Sequence, residues 1–195
     1  MSLKTNVLVT TLAVAVSGSV QAAGPLTRPA VPTTLEVSSD YKLFLVGHAI
    51  GTQNYICAPA ATESGVDWLF IGPQATLFND SLQQTGTHYQ SRNPQRNNAI
   101  QATWQDSGDT SAVWATRRDG SLDANYVAPG AIEWLLLDVT GQQVGPTAGS
   151  KLTPSLLIQR VNTVGGIKPP SADCTAATLN TRKLVSYEAD YYFYK

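Results

Sequence analysis

Apolar and polar residues alternate with a period of two along much of this chain. The clearest stretch is the last. Val185, Tyr187, Ala189, Tyr191 and Phe193 fall on one side, and Ser186, Glu188, Asp190, Tyr192 and Tyr194 on the other. Successive side chains of a strand point to opposite faces, so this pattern predicts a half-buried strand. Similar runs, rich in β-branched and aromatic residues, predict strands over 43–46, 53–57, 66–71, 75–78, 87–90, 99–105, 112–117, 132–139, 155–163 and 184–194. Turn chemistry separates them: Gly72-Pro73, Asn79-Asp80, Asn97-Asn98, Asp119-Gly120, Pro129-Gly130 and Gly165-Gly166. The segment 132–139 is more continuously apolar and reads as a central strand. No long amphipathic helix, internal repeat or low-complexity tract breaks the pattern. The expectation is one all-β domain over 41–195, an antiparallel sandwich or barrel of about 8–10 short strands with little helix.

The N-terminal residues follow another rule. Lys4 precedes an uncharged, mostly apolar run over 7–16, and Val20-Gln21-Ala22 offers small residues at the positions a signal peptidase reads. Residues 1–22 are therefore expected to be a secretory signal peptide, with an apolar core too short to span a bilayer. Residues 23–40 carry Pro25, Pro29 and Pro32 and read as an extended arm, with Leu35 and Val37 as candidates to begin a strand. No later apolar run reaches the roughly 20 residues of a membrane helix. The expected location is outside the cytosol, in a periplasm or the medium.

Charge narrows the partners. Thirteen Lys and Arg against fourteen Asp and Glu give a formal net charge of −1, and only 14% of residues are charged. That leaves no basic footprint for nucleic acid. The oligomeric state is not legible.

Two cysteines, Cys57 and Cys174, remain after the leader. In an exported chain an even count favours a disulfide, and one bridge between them is expected; two buried free thiols are the alternative. No Cys-x-x-Cys and no neighbouring histidine suggests a metal, and no metal or cofactor is expected.

Candidate chemistry is sparse. Of the two histidines, His48 and His88, neither has metal-ligand spacing. They and Asp80 would have to meet in space to form a site. Arg160 stands out inside an apolar strand (LLIQRVNT) and needs a partner if buried; Glu133 and Glu188, also within predicted strands, are the candidates. His88, Tyr89 and Arg160 are the weak catalytic candidates. Trp104 and Trp114 lie beside polar turns, are expected to be partly exposed, and are weak candidates for stacking on a sugar. Asn79-Asp80-Ser81 matches a glycosylation sequon, which matters only in a host that glycosylates. No Gly-x-Ser-x-Gly, phosphate loop, His-Glu-x-x-His or Gly-x-Gly-x-x-Gly is present.

Several segments occur together in a known pattern. They are Gly51-Thr52-Gln53-Asn54-Tyr55-Ile56-Cys57, Trp68 with Pro73-Gln74-Ala75-Thr76-Leu77, Gly86-Thr87-His88-Tyr89, Thr103-Trp104 and Trp134-Leu135-Leu136-Leu137. They continue with Ile158-Gln159-Arg160-Val161-Asn162-Thr163-Val164-Gly165-Gly166, Cys174 and the aromatic tail through Tyr194. Over roughly 41–195 the chain resembles the secreted family called "domain of unknown function 3455". It departs from that pattern at Glu133 and Ser186, where proline is frequent, and in a longer insert over 90–101. The resemblance implies an exported bacterial or fungal protein of unknown activity. Some members carry a malate dehydrogenase label. A nicotinamide dehydrogenase needs βαβ units and a glycine-rich turn at a helix N-terminus, and this chain has neither.

The leading expectation is thus an exported, disulfide-stapled binding module for an envelope or extracellular ligand such as a glycan. The alternatives are a secreted enzyme with a small polar site around His88, and a structural or stress-related envelope protein.

Overall fold

The computed structural model describes residues 25–60 and 65–195; the leader expected over 1–22 lies outside the described residues. Eight antiparallel strands, each paired with the next and β8 with β1, close into an up-and-down barrel. They are β1 (Leu43–Pro59), β2 (Val66–Phe78), β3 (Gln84–Asn93), β4 (Ala99–Asp106), β5 (Ala112–Ser121), β6 (Trp134–Gln143), β7 (Leu157–Gly165) and β8 (Arg182–Tyr194). The only helical pieces among the described residues are three single turns of 3-10 helix. The all-β expectation is borne out, and of the two architectures the chain adopts the barrel.

Ten predicted strands become eight by two mergers. Segments 43–46 and 53–57 are one strand, β1, whose middle (Gly47, Ala49, Gly51) is too small to read as a strand. These small residues face inward, where β1 lies closest to β2 and a Cβ on Gly47 would press on the Leu77 side chain. Segments 66–71 and 75–78 join as β2. A register irregularity opposite Asn54 and Tyr55 accommodates Gly72, at φ +120°. A bulge of this kind bends a strand without ending it.

An eight-stranded barrel has an interior just wide enough for side chains to fill. Ala49, Ala75, Leu77, Trp104, Val113, Ala115, Leu137, Ile158, Tyr191 and Phe193 form that core. One end, the floor, is plugged by the β6–β7 connection. Leu152 enters the core, Leu152 N–H donates to Ser111 Oγ at 3.0 Å, and Lys151 pairs with buried Asp106 at 2.8 Å. The opposite end, the mouth, is ringed by the β5–β6 and β7–β8 connections.

A second core lies outside the barrel wall. Leu35 packs with Val127, Trp134, Leu136, Leu157, Val161 and Tyr194. Residues 33–35 form a 3-10 turn rather than the start of a strand, because Pro32 leads into a turn closed by Leu35 N–H to Pro32 O at 2.8 Å. The arm is thus a packed strap. Arg28 donates to the carbonyls of Val37, Ser38 and Tyr41 and sits over the Tyr194 ring.

Cys57 and Cys174 form a disulfide across 117 positions. With Tyr55 and Trp68 it makes a third small cluster near the mouth, fastening the β7–β8 connection to β1.

Candidate binding site in the barrel lumen

Strand alternation decides which polar side chains enter the barrel. Gln53 on β1, His88 on β3, Trp104 on β4, Leu135 on β6, Arg160 on β7 and Tyr191 on β8 all line one cavity of about 190 Å³ beneath the mouth. Phe70, Pro73, Ala102, Ala115 and Leu137 complete its apolar wall, and Gln90 and Arg117 approach its rim. Gln53, Phe70, Leu135 and Arg160 also line a wider vestibule of about 450 Å³, where Tyr55, Leu122, Ile132, Ile167 and Lys168 form the lip.

Arg160 stands at the boundary of the two spaces. Its β-sheet neighbours are Leu135 and Tyr191, neither of which is charged. Nε and Nη2 donate to the main-chain carbonyl of Glu133 at 3.3 and 2.9 Å. The Glu133 carboxylate turns instead to Arg117 Nη2, at 3.2 Å. The ion pair expected for Arg160 is therefore replaced by a carbonyl clamp. The physical reason lies in position: Glu133 precedes β6 in an irregular segment on the vestibule wall, where its carbonyl meets Arg160 while its carboxylate meets Arg117. No carboxylate lies within 4.0 Å of Arg160 among the described residues, so its charge is held in the cavity wall without a counterion.

His88 is 3% exposed. Its Nδ1 lies 2.9 Å from the carbonyl oxygen of Thr103, which can only accept, so Nδ1 carries the proton and Nε2 is an acceptor. Burial pulls its pKa down to about 3; the Thr103 bond opposes this, and the Arg160 charge adds to it. The ring is neutral at any ordinary pH. It stacks on Trp104 with centroids 4.1 Å apart, and Tyr191 packs against both rings, 5.0 Å from His88 and 5.3 Å from Trp104.

Two donors lie just behind this wall. Gln53 Nε2 and Trp104 Nε1 are buried with no hydrogen-bond partner. A buried N–H without a partner costs about 1–3 kcal/mol, so two of them beside an uncompensated guanidinium form an environment suited to an acceptor-rich or anionic guest. Gly166 makes the approach possible. At φ +81° it lets the β7–β8 connection pass over Gln53; a Cβ there would fall 2.9 Å from Tyr187 Cβ and 3.0 Å from Gln53 Cγ. Its carbonyl accepts from Tyr55 Oη at 2.8 Å.

The sequence candidates divide accordingly. His88, Arg160 and Trp104 converge in the lumen. Tyr89, adjacent to His88, faces outward and donates to Gln105 Oε1 at 3.2 Å. Trp114 also lies on the outer face, with Nε1 donating to Ser91 Oγ at 2.8 Å. Trp104 and Trp114 are 1% and 4% exposed, so the expected partial exposure is corrected: one fills the barrel, and the other is covered on the outer wall. Gln53 was not legible as a candidate, although a polar residue at the inward parity of a strand, between Gly51 and Tyr55, is a signal once the barrel is known.

His48 sits outside, on β1, and does meet Asp80, but without His88. Its Nδ1 lies 2.6 Å from Asp190 and its Nε2 2.9 Å from Asp80. Burial alone would lower its pKa; hydrogen bonds to Asp190 and Asp80, and their charges, outweigh this and hold it above the ordinary histidine value. A folded-state pKa above the unfolded 6.5 adds stability that is complete below pH 6.5 and is lost as pH rises through the folded value. The stability difference between wild type and His48→Gln, from urea titrations over pH 5–9, should therefore be flat in acid and shrink above neutrality. A pH-independent difference would mean that the histidine is not charged in this cluster.

A family profile described as "Protein of unknown function (DUF3455)" matches residues 38–195. The chain belongs to this family. The match spans the end of the arm and every strand of the barrel, and the resemblance read from the sequence is thereby borne out. No curated protein and no solved structure is significantly similar to the chain.

Proposed function

We propose that this family member is a binding protein of an oxidising, extracytosolic compartment whose barrel lumen holds a small organic anion. The observation that carries the reading is Arg160, a guanidinium in the cavity wall with no carboxylate beside it. The unpartnered N–H groups of Gln53 and Trp104 add to it. The cavity volume suits a single ring: about 150 Å³ suffices for benzene, and this one is about 190 Å³. A rigid barrel with a preformed pocket at its mouth is a common setting for a small ligand. The disulfide and the expected leader support export.

Binding is favoured over catalysis on one ground. No carboxylate lines the cavity among the described residues, and His88 is too weak a base near neutrality to take a proton. Burial of Trp104 and Trp114 removes the support for a glycan-stacking surface on those two rings.

Benzoate and its neutral analogue benzyl alcohol are suitable probes, with Trp fluorescence and calorimetry as readouts. Benzoate is expected to bind and benzyl alcohol to bind roughly 30-fold more weakly, as a lost charged hydrogen bond of about 2 kcal/mol implies. Arg160→Met should abolish the preference while the far-ultraviolet spectrum stays unchanged. Equal binding of both probes, or an unaltered preference in the variant, would refute the reading.

A further inference from the structure

His88 carries information that Arg160 does not. Its Nε2 is an acceptor without a hydrogen-bond partner among the described residues, on a ring 3% exposed that lines the same cavity. Trp104 covers one face of the ring and Tyr191 packs against both rings at 5.0 and 5.3 Å, so Nε2 is the polar group His88 offers a guest. The tautomer is fixed by Thr103 O, so Nε2 cannot become a donor without full protonation, which burial opposes. The site therefore presents two unlike demands. Arg160, Gln53 and Trp104 ask for acceptors; His88 asks for one donor.

Resting on the reading of the lumen as an acid-binding site, we infer that the physiological ligand is a hydroxy-substituted aromatic acid: its carboxylate faces Arg160, and its hydroxyl donates to His88 Nε2. A protonated amine would meet the second demand but is repelled by the Arg160 charge. A hydroxyl meets it without charge. The ring belongs between the two groups, because Trp104, Tyr191, Phe70 and Leu135 give the cavity aromatic and aliphatic walls and its volume admits one ring. A site built to hydrogen-bond a hydroxyl discriminates against the analogue lacking it, since the buried acceptor is then left unpaired.

The test compares benzoate, 3- and 4-hydroxybenzoate and the corresponding methoxybenzoates on the full mature protein. At least one hydroxybenzoate should bind roughly tenfold more tightly than benzoate and than its methoxy counterpart, as about 1.4 kcal/mol for one neutral hydrogen bond implies. In His88→Phe the hydroxybenzoate-to-benzoate affinity ratio should fall to about one, whatever the variant does to benzoate affinity itself. Nitrogen NMR gives a second readout that needs no variant. The chain has only two histidines, so the His88 Nε2 signal is readily assigned; it should shift upfield on adding the tighter hydroxybenzoate and stay in place with benzoate. Benzoate binding without any gain from a hydroxyl, or with no response at His88, would overturn this inference and leave the acid site standing. Failure of every acid to bind would overturn the acid site itself, and this inference with it.

Discussion

Replacing Cys57 and Cys174 together by alanine is expected to lower the melting temperature by about 10–15 °C. The bridge closes a loop of 117 positions. In the chain-entropy model, opening a loop of that length costs about 4–5 kcal/mol, and a domain of this size loses about 2–4 °C per kcal/mol. Two features of the fold support a value near the upper end. The sulfurs are fully or almost fully buried beside Tyr55 and Trp68, so their removal also loosens a packed cluster. Between its ends, which are hydrogen-bonded to Tyr55 and Cys57 of β1, the connection they fasten carries only two single turns of 3-10 helix and the surface ion pairs Lys168–Asp67 and Lys183–Asp173. Because Ile167 and Lys168 belong to the vestibule, the same variant should bind benzoate more weakly at a temperature where it is still folded. Thermal scans of the oxidised wild type and the double variant measure the first effect. A shift under about 3 °C would mean that the bridge restrains the unfolded chain far less than the chain-entropy model holds.

The barrel was legible where inward and outward residues differ in kind. In β8 the inward positions are apolar or aromatic and all but Ala189 are bulky, and the strand emerged almost to the residue, Arg182–Tyr194 against an expected 184–194. In β1 the inward positions are Gly47, Ala49 and Gly51, chosen for the close approach of β2, and the same length of strand was invisible at its centre. Patterning registers bulk, so it fails where the fold requires smallness. The outer face of β8 shows the converse: Tyr192 and Tyr194 look like a solvent face, yet Tyr194 is 1% exposed because the arm crosses it.

The site was half legible for a related reason. Arg160 was conspicuous as a charge in an apolar strand, but its partner depends on where the chain before β6 stops being regular, which no period reveals. His88 and Tyr89 are both weak catalytic candidates, yet adjacency in a strand places them on opposite faces. The rule that revealed the strands, applied residue by residue, separates the lumen from the wall. Gln53, His88 and Arg160 lie on three strands and become neighbours only when the sheet closes, since nothing local in sequence links them.

Leu35→Ala should cost about 3–4 kcal/mol, a drop near 10 °C, although Leu35 lies outside the barrel and outside any strand. The side chain is fully buried against Val127, Trp134, Leu136, Leu157 and Val161. Truncating a buried leucine loses its transfer free energy and leaves a cavity, and the rigid sheet beneath cannot collapse to fill it. The backbone is tied down as well: Gln159 Nε2 donates to Leu35 O at 2.6 Å, and Gln159 in turn accepts from the Tyr194 hydroxyl. Leu26→Ala, at a position 46% exposed, is the control and should change stability by less than about 0.5 kcal/mol. The contrast with the lumen is the sharper part of the expectation. Leu136 and Val161, which touch the strap, flank the inward Leu135 and Arg160 but point the opposite way. Leu35→Ala should therefore lower stability and leave benzoate affinity within about twofold, whereas Arg160→Met should do the reverse. Urea unfolding and calorimetric titration of the two variants measure both quantities, and a loss of affinity in Leu35→Ala while fully folded would show that the outer strap shapes the cavity through the wall.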